Sequence, residues 1–138
     1  MELFLDTANL DEIRWGVRLG VISGVTTNPS LASAEGISDL EAYRATVQEI
    51  AQMVEGPISA EVVSTEVEEM LLEARAIATW APNVVAKIPS TVAGFEAMAT
   101  LSREGITINQ TLCFSVNQAL LGAHAGASFV SPFVGRLD

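Results

Sequence analysis

Apolar residues along this chain alternate between two spacings. Short apolar runs of strand length occupy residues 3–6, 22–27, 58–63, 84–89, 106–112 and 128–134. Between them apolar positions recur at helical spacing. Leu10, Ile13 and Val17 form the first such stripe, which Gly20 stops. The second covers residues 39–55 through Leu40, Tyr43, Val47, Ile50 and Val54, and Gly56-Pro57 ends it. The third is Val67, Met70, Leu71, Ala74, Ile77 and Ala78, closed by Pro82. A fourth, residues 92–102, carries Phe95 and Met98 and stops before Gly105. Val116, Ala119, Leu120 and Ala123 make the last, which stops at Gly126. Four pairs have capping-box spacing: Asn9 with Glu12, Ser38 with Glu41, Thr65 with Glu68 and Ser115 with Gln118. Thr91 is placed to cap the fourth helix, Asn28-Pro29-Ser30 reads as a strand break, and Gly36 with Ser38 reads as a turn.

Strict alternation of strand and helix predicts parallel strands with right-handed crossovers, an α/β architecture. With no linker or low-complexity stretch, residues 1–138 are expected to form a single domain. An open dinucleotide-binding sheet wants a glycine-rich first turn, and Asp6-Thr7-Ala8-Asn9 stands there instead. Every strand also carries a polar residue at or near its C-terminal end: Asp6, Asn28, Glu61, Lys87, Asn109 with Thr111, and Ser131. Strand ends of one polarity on every strand fit a TIM-type (β/α)8 barrel, of which about six βα units are present here.

The lysine is the most informative of these. Val84-Val85-Ala86-Lys87-Ile88-Pro89 is an apolar strand in which Val85 and Lys87 share one face. Pro89 ends the ladder because it has no N–H. Apolar surroundings favour a neutral amine over an ammonium, and a neutral amine attacks carbonyls to form a Schiff base. Asp6 and Glu61 are the acid and base such chemistry requires. Each residue also has a plainer reading. Lys87 is either a nucleophile or a snorkelling strand-end lysine. Asp6 is either a proton carrier or a helix N-terminal carboxylate. Glu61 fits an ion-pair partner equally well, and Asn109 and Thr111 fit groups that satisfy backbone. The coincidence across strands outweighs any one member.

Composition narrows the partners. Seven basic against seventeen acidic residues give a net charge of −10, which argues against nucleic acid. Hydrophobic content of 49% excludes a disordered chain. No apolar run reaches membrane-spanning length, and the N-terminus lacks a signal-peptide core. The single Cys113 excludes an intramolecular disulfide and a multi-cysteine metal site. A cytoplasmic protein with no metal, no cofactor and no membrane partner is expected.

These motifs, taken in order, resemble the transaldolases in their short single-barrel subfamily and the related fructose-6-phosphate aldolases. The resemblance covers the whole chain. Leu5-Asp6-Thr7-Ala8 looks like the strand of the catalytic aspartate, and Val25-Thr26-Thr27-Asn28-Pro29-Ser30 like the strand whose asparagine holds substrate hydroxyls. Ser59-Ala60-Glu61-Val62 resembles the strand whose glutamate works with a bound water, and Val84–Pro89 the Schiff-base strand. Asn109-Gln110-Thr111-Leu112 resembles the strand whose threonine positions that water, and 129–136 is similar to the sixth strand. The resemblance implies a class I aldolase barrel, with Lys87, Asp6, Glu61 and Thr111 catalytic. It implies substrate contacts from Thr26, Asn28, Asn109, Ser131, Phe133 and Arg136. The implied activity is transfer of a dihydroxyacetone unit from a ketose phosphate, such as sedoheptulose 7-phosphate or fructose 6-phosphate, to an aldose phosphate in the pentose phosphate pathway. Sugar phosphates and further copies of the chain are the implied partners. The alternatives are an aldolase that releases free dihydroxyacetone and an inactive truncated fragment. Fructose-6-phosphate aldolases carry tyrosine where Phe133 stands, which favours the transferase reading. The family barrel has eight strands, so the seventh and eighth are expected to be absent from these 138 residues. Trp15 and Trp80 are expected to pack in the helical layer, Cys113 to fill core, and His124 to lie on a helix face.

Overall fold

The computed structural model describes residues 1–135. Six parallel strands alternate with helices among them, and the order of hydrogen-bonded strands is the chain order, β1 to β6. This is the β/α-barrel type of topology that the alternation predicts, with six strands among the described residues. The described residues fall into two compact units.

The first unit holds β1 (Phe4–Asp6), α1 (Leu10–Leu19), β2 (Gly24–Thr26), α2 (Pro29–Ala34), α3 (Leu40–Met53) and β3 (Ile58–Glu61), with residues 79–85. Phe4, Leu5 and Asp6 pair with Gly24, Val25 and Thr26, and Val25 and Thr26 with Ile58 and Ser59. Ile13, Val25, Val47, Ile50 and Ile58 are fully buried and form its core. Each such side chain stabilises the fold by about 1.5–3 kcal/mol. Tyr43 meets Trp80 edge to face at 5.8 Å. Asn83 pegs the end of α3, its Nδ2 donating to the carbonyls of Val54 at 2.8 Å and Gly56 at 2.9 Å.

The second unit holds α4 (Val67–Ile77), Ala86 to Pro89 of β4 (Val84–Pro89), α5 (Val92–Arg103), β5 (Ile108–Cys113), α6 (Val116–Ala125) and β6 (Phe129–Pro132). α5 packs against both α4 and α6. Its core is Met70, Ala74, Ala86, Ile88, Met98, Leu101 and Ile108. Between Gln110 and Cys113 the β5–β6 register shifts, and Leu112 there takes φ of 52°, a left-handed conformation unusual for a branched side chain.

Several expectations need correction. Asn28-Pro29-Ser30 is a helix start as well as a strand end, since Asn28 caps α2 and Pro29 is its first residue. α3 is capped by Asp39 in place of Ser38, through a 2.8 Å bond from the Ala42 N–H. Glu66 precedes α4 without a side-chain cap, so Thr65 and Glu68 form no box. Instead Glu73 reaches back from within α4 to accept from Ser64 and from the Val63 N–H. Asn9 and Ser115 do cap their helices, yet Glu12 takes the Thr7 hydroxyl and Gln118 the Phe114 N–H in place of the box partner. Trp15 is 58% exposed, so only Trp80 packs. Leu40 and Leu120 are exposed at 67% and 68%, so neither apolar stripe is covered along its full length. Cys113 is buried and His124 lies exposed in the last turn of α6, as expected.

Candidate active site

In the first unit the ends of β1 and β2 are tied together by their side chains. Parallel pairing sets Asp6 beside Thr26, and the Thr26 hydroxyl donates to the Asp6 carboxylate at 2.8 Å. A carboxylate oriented by a hydroxyl is placed to accept a proton from one direction. Asp6 is exposed and Thr26 half-buried. Asn28 follows at the start of α2, where its Oδ1 accepts the Leu31 N–H at 2.9 Å. Glu61 ends β3, half-buried, and its backbone N–H donates to the Tyr43 hydroxyl at 3.2 Å. That hydroxyl also lies 2.7 Å from the Thr27 hydroxyl. Burial pushes the Tyr43 phenol above its ordinary value.

In the second unit Lys87 is only 4% exposed, in the middle of a strand whose residues 84–88 are all buried. An ammonium is expensive to hold in such a place, and lysines are rarely found there without a specific role. Register sets Lys87 beside Asn109 and Pro89 beside Thr111, so Lys87, Asn109 and Thr111 share one face of the sheet. Asn109 in turn pairs with Phe129, and its Oδ1 accepts the Ser131 hydroxyl at 2.8 Å. Thr111 is buried, and both the N–H and the hydroxyl of Ser90 donate to its carbonyl, at 2.9 and 2.7 Å. Phe133 is half-buried, held by its N–H on the Cys113 carbonyl at 2.9 Å and edge to face with Phe114 at 5.1 Å. Arg136 lies outside the described residues.

Lys87 is thus buried and paired with Asn109 on β5, which carries Thr111 on the same face, and a buried amine beside polar groups is able to add to a carbonyl. The family model "Transaldolase/Fructose-6-phosphate aldolase" matches residues 3–138. The chain belongs to this family. It is 61% identical over 139 residues to a probable transaldolase of Dehalococcoides mccartyi, covering 100% of this chain and 63% of that relative. A probable transaldolase of Heliobacterium modesticaldum is 61% identical over 138 residues, and one of Roseiflexus castenholzii 56%, each covering 100% of this chain and 62% of the relative. The chain thus spans 62–63% of the length of these relatives.

Sequence reasoning passed over three residues that hold the family motifs in place. Tyr43 reads as one more apolar position of α3, yet its hydroxyl meets Glu61 and Thr27. Ser90 holds Thr111, and the Gln110 Nε2 donates to the Ser90 hydroxyl at 2.9 Å and to the Gln118 carbonyl at 2.8 Å. Gln110 had a signal. It alternates with Asn109 and Thr111, so it faces the helices, where a buried amide must find partners.

Proposed function

We propose that this chain carries the Schiff-base machinery of a transaldolase. Lys87 supports that reading most directly: a buried lysine on β4, in register with Asn109. The Lys87 amine adds to the carbonyl of a ketose phosphate, and loss of water gives an iminium. Asp6 takes the proton from the hydroxyl that becomes the departing aldehyde, and the carbon–carbon bond breaks. The electron pair moves into the iminium, which becomes an enamine of the retained three-carbon unit. An acceptor aldose phosphate adds to that enamine, and hydrolysis returns the amine. Glu61 and a water held by Thr111 carry protons in the formation and hydrolysis of the carbinolamine. Thr26 orients Asp6, while Asn28, Asn109 and Ser131 hold hydroxyls of the three-carbon unit. Phe133 keeps a proton source away from the enamine, and Arg136 is the fork for the phosphate. The acidic chain, with no helix among the described residues long and apolar enough to cross a membrane, is in keeping with a cytoplasmic single-domain barrel acting as a homo-oligomer. Borohydride trapping of fructose 6-phosphate, read by intact mass, tests the assignment. The parent gains the reduced adduct and Lys87→Met does not. A Lys87→Met protein that still traps the sugar refutes it.

A further inference from the structure

Three hydrogen bonds in the first unit form a chain whose direction is fixed at both ends. The Glu61 backbone N–H only donates, so at 3.2 Å the Tyr43 oxygen is its acceptor. The Ser59 carbonyl only accepts, so at 2.9 Å the Thr27 hydroxyl donates to it. The remaining link, 2.7 Å between the Tyr43 and Thr27 hydroxyls, then has one consistent polarity: the phenol donates and Thr27 accepts. Along these three bonds each hydroxyl donates once and accepts once, and both side chains are buried. The Thr27 N–H also donates to the Ser59 carbonyl at 2.9 Å. Beyond Thr27 the chain leaves the sheet, because Asn28 caps α2. The phenol from α3 therefore meets β3 where β2 turns away, at the amide of the residue proposed to carry protons.

We infer that Tyr43 is a positioning residue for the reaction, acting through Glu61. Its hydroxyl fixes the backbone on which the Glu61 carboxylate is mounted, and through Thr27 it ties that backbone to the residue before Asn28. An apolar side chain at position 43 would fill the same core space and leave the Glu61 N–H without this acceptor. The carboxylate would then sample a wider range of positions, and proton transfer is sensitive to displacements of an ångström or less. The inference rests on the proposed role of Glu61.

The test is a double-mutant cycle in the intact chain, with the rate of borohydride trapping of fructose 6-phosphate as readout. Tyr43→Phe is expected to slow trapping by about 10- to 100-fold, with little change in the sugar concentration that gives half the maximal rate. In a Glu61→Gln background the same substitution is expected to change the rate less than about twofold, because the group it positions is gone. A purely structural role would give the same loss in both backgrounds, and that result overturns the inference, as does an unchanged rate in Tyr43→Phe alone. Thr27→Val removes the next hydroxyl of the chain and decides the matter by the same cycle if Tyr43→Phe does not fold. Trapping by the parent separates the two levels. A parent that traps nothing overturns the Schiff-base reading together with this inference, whereas a parent that traps and a cycle that is additive overturns this inference alone.

Discussion

Replacing Gly122 by alanine sets two effects of opposite sign against each other. Gly122 lies inside α6, where alanine is favoured over glycine by about 0.8–1.0 kcal/mol. Propensity alone therefore predicts a more stable protein. The packing predicts the reverse. A Cβ on Gly122 falls 1.7 Å from Gln110 Oε1, 2.2 Å from Cδ and 2.8 Å from Nε2. Gln110 is fully buried and cannot swing aside without breaking its Nε2 bonds to Ser90 and to the Gln118 carbonyl. Leaving those groups unpaired costs on the order of 1–3 kcal/mol each, about 2–6 kcal/mol together. Subtracting the helix term leaves a net loss of about 1–5 kcal/mol for Gly122→Ala. Urea unfolding followed by tryptophan fluorescence measures it as a lower midpoint at constant slope. In a Gln110→Ala background the obstacle is gone, and Gly122→Ala should then stabilise by up to ~1 kcal/mol. A raised midpoint in the otherwise unchanged protein would show that the amide is easily displaced and refute the reasoning.

Two further outcomes concern Phe133 and Tyr43. Phe133→Tyr, which sets a phenol beside Phe114, should raise the share of the three-carbon unit released as free dihydroxyacetone; assay of both products checks it, and an unchanged ratio removes Phe133 from control of partitioning. Burial raises the Tyr43 phenol above its ordinary 10.0. The stability tied to its neutral form is then fully present below pH 10.0 and is lost as pH rises toward the folded-state value. Unfolding midpoints should fall above about pH 10 in the parent and fall less in Tyr43→Phe, and parallel curves would contradict this.

The polar strand ends were readable because a strand has period two and a proline or cap marks where it stops. Counting puts Lys87 with Val85 on one face of its strand and Asn109 with Thr111 on one face of theirs, and only the strand register brings Lys87 to the face of Asn109 and Thr111. Helix starts were read less well. Ser38 and Thr65 have the box spacing, but Asp39 stands one residue nearer α3, and Glu73 occupies the loop before α4 from inside the helix. Spacing does not say which of two adjacent cap formers is chosen. The short α2 was missed because Asn-Pro ends a strand and begins a helix with the same residues. Tyr43 was legible as core but not as a hydrogen-bonding group, since its partners lie 16 and 18 residues away, one just past β2 and one at the end of β3. Trp15 has the size of a core residue and stands on the uncovered side of α1.

The cap on α2 also sets the polarity of the substrate contact proposed for Asn28. A backbone N–H has no lone pair to offer, so the 2.9 Å bond from Leu31 holds the carboxamide with its oxygen on the helix. Turning the amide over would set two donors face to face and uncap α2. Recognition by Asn28 then falls to its NH2 group, which donates. A sugar hydroxyl or carbonyl that meets it is bound through an oxygen lone pair. Asn28→Asp would keep the helix start yet reverse the sign of this contact, turning a residue that asks for an acceptor into one that asks for a donor. In that proposed role one side chain serves the local fold with one atom and chooses among ligands with another.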